Sequence, residues 1–161
     1  MVTVTSSIRR MPVTVTYTVT RIKEMAKLEE EFMDVLQNIE FALVTVYKED
    51  EEMTDYEAEE AINSLIRLYT AEERKRNAPN LNLSGPAELA FERVKGMCEL
   101  RLGREKLQSG DKNKEPFDSN LEPIALNDLI ACLKRVRRSI QKWNRDYGRR
   151  GYYDFVRQFV R

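Results

Sequence analysis

The stretch from Leu126 to Tyr147 admits one regular structure. Leu126, Leu129, Leu133, Val136, Ile140, Trp143 and Tyr147 recur at alternating steps of three and four. That spacing places all seven on one side of an α-helix, and a seam that strict needs a matching apolar surface to bury it. The remaining faces carry Lys134, Arg135, Arg137, Arg138, Lys142 and Arg145. The helix is therefore predicted to bury one stripe, Trp143 and Tyr147 included, and to present dense positive charge elsewhere.

Helical spacing also dominates upstream. Ile22, Met25, Phe32, Leu36, Ile39, Leu43 and Val46 form a seam from about Thr20 onward, and the opposite face is acidic. "TDYE" at 54–57 reads as a capping box, with Thr54 accepting from the third helical amide and Glu57 reaching back. A second helix follows, with Ala58, Ala61, Ile62, Leu65, Leu68 and Tyr69 on one side and Arg74, Lys75 and Arg76 in its last turn, where cations suit the dipole. Pro86 fits the first turn of a third helix, striped by Ala90, Phe91, Val94, Met97, Cys98 and Leu102. Residues 109–123 form a polar linker with two prolines. After Gly148 and Gly151, "YYDFVRQFV" reads as a short amphipathic helix folding back as an apolar clasp.

The first twenty residues differ. "VTVT" and "VTVTYTVT" alternate β-branched and hydroxyl residues, a strand pattern, around the turn-like "SSIRRMP". The expected fold is an all-α bundle of four main helices plus a short C-terminal one. An extended or β-like N-terminal arm over 1–20 precedes a helical domain over 21–161.

The 161 residues contain no histidine. Histidine triads, histidine-ligated zinc and Glu-x-x-His di-iron sites are thereby excluded. Carboxylate chemistry with Mg²⁺ remains open. Glu30, Glu31 and Asp34, echoed by Glu59, Glu60 and Asn63, resemble in part the E-E-x-x-E helices of all-α nucleotide pyrophosphohydrolases, but no clean E-x-x-D follows. Cys98 and Cys132 lack metal-site spacing and read as buried thiols. We expect no catalytic residues, no metal and no cofactor. No apolar run approaches the ~18 residues of a membrane span, and the N-terminus lacks an apolar signal core, so a soluble, cytoplasmic protein is expected.

The net charge of zero conceals an asymmetry. Residues 24–60 hold fourteen acids against two lysines, and residues 134–161 hold ten bases against two aspartates. Lys and Arg spaced to meet successive phosphates bind polyanions through counterion release, and arginine adds bidentate contacts. The candidate nucleic-acid-binding residues are Lys134, Arg135, Arg137, Arg138, Lys142, Arg145, Arg149 and Arg150, with Tyr152 packing on a sugar or base. In "GRRGYY" the arginines are expected on a flexible turn with the following rings exposed, so that charge reversal at Arg149 and Arg150 weakens binding with little loss of fold. The competing reading is a solvated basic face that neutralises the acidic helix. A further one is a protein–protein scaffold whose N-terminal strand adds to a partner's sheet.

A small, histidine-free, all-helical chain with an arginine-rich helix face and no catalytic motif resembles the small subunit of CRISPR effector complexes. The resemblance implies a non-catalytic protein, present in several copies along a ribonucleoprotein, whose basic surface supports an RNA or single-stranded DNA backbone without reading sequence. Arg135, Arg137, Arg138, Lys142, Arg145, Arg149 and Arg150 would carry that role. Other protein subunits are the implied partners, with further copies of this chain among the candidates. The β-like arm departs from this pattern and would suit a chain related to part of a larger subunit.

Overall fold

The computed structural model describes residues 12–104 and 122–160, with side chains from residue 27 onward. Helix α1 runs Pro12–Glu49, α2 Asp55–Glu73, α3 Gly85–Arg101, α4 Leu126–Tyr147 and α5 Gly151–Val156. Among the described residues the architecture is all-α, four main helices and a short C-terminal one, as expected.

Helix α1 starts earlier than the alternation of its first residues predicts. Over 12–20 the chain is helical rather than extended. A lone strand leaves its backbone groups unpaired, whereas a helix pairs them within the segment. Among the described residues there is no strand to pair with, and Pro12 suits a first helical position. Residues 1–11, most of the linker at 109–123, and the side chains of Ile22 and Met25 lie outside the described residues. The backbone of α1 leaves the helical region at Phe32 (φ −124°, ψ 29°). The chain divides beside it into two units, residues 1–33 and 34–161, and the second contains everything that follows.

In that unit the α1 seam buries Leu36, Ile39, Leu43 and Val46, as spaced. Helix α2 buries Ala58, Ala61, Ile62, Leu65 and Tyr69. Its capping box is present: Thr54 Oγ1 accepts from the Glu57 amide, and Glu57 Oε1 accepts from the Thr54 amide at 2.8 Å. Helix α4 buries Leu129, Cys132, Leu133, Val136 and Ile140, and lies against α2 and α5. The α2–α4 pair is antiparallel: Arg137 donates to Asn63 Oδ1 and, one turn on, Gln141 donates to Glu59 Oε2, both at 2.8 Å.

Helices α2 and α3 end alike. In each, two backbone bonds close a Schellman turn: Lys75 to Glu72 and Arg76 to Ala71 after α2, Gly103 to Leu100 and Arg104 to Glu99 after α3. The turn requires a left-handed residue. After α3 it is Gly103 (φ 77°), and after α2 it is Lys75 (φ 54°), a position where side chains cost stability.

The α4 seam leaves the core before its end. Trp143 is half-buried and Tyr147 is 68% exposed, against the expectation that both are core. The returning α5 is only six residues long. It lays Phe155 on Trp143 at 4.0 Å between ring centroids, and Tyr147 stacks on Trp143 at 5.0 Å without a further cover.

Candidate nucleic-acid interface

The residues predicted to meet a polyanion separate into three groups. The first is locked into the protein. Tyr152, expected at the surface, is 0% exposed. Its amide donates to Asp55 Oδ2 at 2.8 Å, and the Tyr47 phenol donates to Asp55 Oδ1 at 2.6 Å. Asp55, itself fully buried, donates its own amide to the Arg149 carbonyl at 2.7 Å. One carboxylate thus ties the start of α2 to α1 and α5. Burial raises the Asp55 carboxyl above its ordinary range, against the pull of its hydrogen bonds from Tyr47 and the α5 amides. Burial and the neighbouring Asp55 push the Tyr47 phenol well up, so it keeps its proton and donates.

Arg150 closes the same knot. Its guanidinium donates to the Tyr47 carbonyl at 3.1 Å and lies 4.6 Å over the Tyr153 ring, which stacks on Tyr47 at 4.8 Å. The turn before it is not free to move. Gly148 holds φ 93°, which favours glycine. A Cβ on Gly151 would collide with the Trp143 carbonyl oxygen and come within 2.8 Å of Tyr147 Cβ. The expectation of a flexible arginine turn is corrected here: the turn is built into the core, and Arg150 and Tyr152 hold it. Arg137 belongs to this group through Asn63. Arg135 is half-buried and engaged, its charge close enough to bear on the Tyr152 phenol.

The second group shares an acid. Lys142 Nζ is 3.8 Å and Arg145 Nε 3.3 Å from Asp146, and Lys142 also lies over the Trp143 ring. These are exposed pairs, which bind weakly and exchange readily with a competing anion.

The third group is open. Lys134, Arg138 and Arg149 are exposed, and none has an acidic partner among the described residues. Lys134 does not stand alone. It lines a depression of about 410 Å³ with Arg67, Arg74 and Arg76, over a floor that includes Ile66 and Pro79. Arg74 and Arg76 were expected in the last turn of α2 as dipole-compensating cations, but the helix ends at Glu73 and they follow it. Nothing in their spacing, or in that of Arg67, announces that α4 meets them. Only the antiparallel register brings Lys134 opposite Arg67.

Three of the six motif residues, Asp34, Glu59 and Asn63, are taken up by contacts between helices. Asp34 accepts from the buried Arg101 at 2.8 Å, Glu59 accepts from Gln141, and Asn63 accepts from Arg137. Among the described residues no group of three or more potential ligands gathers to hold a metal ion. Cys98 and Cys132 are buried free thiols, and burial pushes Cys132 up to about 12. Among the described residues no helix is long and apolar enough to cross a membrane. Comparison with family models, curated proteins and solved structures found no match for this chain.

Proposed function

We propose that this protein is a non-enzymatic helical subunit that binds nucleic-acid backbone, without reading sequence, within a larger ribonucleoprotein assembly. One observation carries the reading. Lys134, Arg138 and Arg145 fall within a narrow exposed stripe of α4, at axial steps of about 6 and about 10 Å from the 1.5 Å helical rise. That spacing suits neighbouring phosphates of one strand. Arg149, just past the helix end, is exposed as well. Arginines in such a stripe grip phosphate oxygens in pairs, and released counterions supply the affinity.

The test is binding of labelled single-stranded RNA, single-stranded DNA and duplex DNA over a salt series. Affinity should fall as salt rises, with a log–log slope of about −0.7 per neutralised phosphate on a single strand. Joint reversal of Arg138, Arg145 and Arg149 to glutamate should abolish binding and leave the melting curve in place. Absence of binding at low salt, or binding indifferent to salt, removes the reading.

A protein scaffold is the second reading, favoured by the aromatic ladder Tyr147–Trp143–Phe155–Phe159, whose outer rings are 68% and 66% exposed. Exposed rings in contact are a common anchor for a partner chain. Tyr147→Ser with Phe159→Ser should then release a co-purifying protein while nucleic-acid affinity persists.

A further inference from the structure

We infer that the depression between the end of α2 and the middle of α4 is a seat for closely spaced phosphate groups. Four cations, Arg67, Arg74, Arg76 and Lys134, line it, and no acid does. Several cations elsewhere in this unit are matched, Arg93 with Glu49, Arg101 with Asp34, Arg104 with Glu72 and Glu99, Arg157 with Asp154, whereas the exposed Arg138 and Arg149 stand apart from one another and line no such hollow. None of the four has an acidic partner among the described residues. Glu72, on the other side of α2, accepts both guanidinium nitrogens of Arg104 and does not line this depression.

Four like charges around one hollow repel each other. The end of the α2 dipole offsets only about half a unit of that charge. A multiply charged anion removes the rest. The Schellman turn fixes the geometry: left-handed Lys75 lies between Arg74 and Arg76, and both flanking side chains line the hollow. Three guanidinium groups favour phosphate, whose oxygens match their planar forks, over a single carboxylate. The volume of about 410 Å³ leaves room for a short phosphate chain.

Two sources offer that chemistry: the free polyphosphate chain of a nucleotide, or consecutive phosphates of a strand arriving along α4. Only the second rests on the proposed function, and Lys134 is the residue that joins seat to stripe.

The full chain is titrated calorimetrically with inorganic triphosphate, and by anisotropy with a labelled single-stranded hexanucleotide. The seat is altered by Arg67→Glu with Arg76→Glu, the stripe by Arg138→Glu with Arg145→Glu. Triphosphate should bind one to one. The seat variant should lose about tenfold or more in affinity and the stripe variant less than about twofold, as expected for localised phosphate contacts. Hexanucleotide binding weakened by both variants identifies a strand as the source. Triphosphate binding without hexanucleotide binding upholds the seat and discards the proposed function. Triphosphate and hexanucleotide both indifferent to the seat variant overturns the seat and leaves the proposed function standing. Should the glutamate pair fail to fold, Arg67→Gln with Arg76→Gln is read in the same way.

Discussion

Two turns in this protein look alike on paper. Each places a pair of arginines beside a residue of positive φ: Arg149 and Arg150 after Gly148, Arg74 and Arg76 around Lys75. In the folded chain they have opposite fates. At the first, the Arg149 backbone and the Arg150 side chain are sealed by Asp55 and Tyr47 from distant helices, and only the Arg149 side chain stays exposed. At the second, both arginines open onto a hollow they share with Arg67 and Lys134. The lesson is that cation density does not locate a binding surface. What locates it is whether the rest of the chain brings acids, rings or carbonyls to those cations.

The widest break between the two turns should come with alkali. Tyr47 and Tyr152, in the sealed turn, have phenols raised well above 10.0 by burial, and Cys132 is raised from 9.0 to about 12. Such groups titrate normally in the unfolded chain and resist in the folded one. Their stabilisation is complete below about pH 9 and is lost as pH climbs towards and beyond 12. Phenolate absorbance from the buried tyrosines should therefore appear together with loss of helical signal. Appearance well before that loss would mean the knot opens by itself.

Next in size are substitutions inside the knot. Asp55→Ala strands the Tyr47 hydroxyl and the Tyr152 amide, at about 1–3 kcal/mol each. Gly151→Ala forces α5 off the end of α4 and should cost about 3 kcal/mol, the upper range for overpacking. Urea unfolding measures both, and wild-type midpoints would show that α5 is not held as described.

Arg150→Ala should cost about 1–2 kcal/mol through the lost carbonyl bond and ring contact. Arg149→Ala should stay within about 0.5 kcal/mol, as for an exposed side chain. Equal effects would erase the distinction between neighbours in one turn.

One modest effect has the opposite sign. Lys75→Gly relieves a left-handed lysine and should stabilise by roughly 0.5–1 kcal/mol. A thermal melt resolves it, and a loss of stability would show that Lys75 makes a compensating contact.

Much of this was readable from spacing. The seams of α1, α2 and α4 predict most of the buried residues from Leu36 through Ile140, with Leu68 and Leu126 only half-buried, because side chains three and four apart share a helix face regardless of context. The capping box was readable because Thr54 and Glu57 satisfy each other locally. What failed was decided at long range. Tyr147 continues the α4 seam but is exposed, since α5 is too short to cover it. Tyr152 breaks the seam but is buried, because Asp55 draws its amide inward from almost a hundred positions away. The "VTVT" alternation expresses a side-chain preference that needs a neighbouring strand, and over 12–20 the backbone pairs with itself instead. The phosphate seat was invisible for the same reason: Arg67 and Lys134 meet only through helix register.

The Asp55 junction also sets an order of events during synthesis. Its carboxylate and the Tyr47 hydroxyl are made early, but the amide that completes them belongs to Tyr152. Until that residue leaves the ribosome, α1 and α2 can form while the core between them stays unsealed, and at a translation rate of about 5–20 residues per second that interval lasts several seconds. A chain stalled before Gly151 would show helical content with Tyr47 uncovered by Tyr152 and Tyr153. Arrival of α5, rather than formation of α1 or α2 alone, then completes the Asp55 junction.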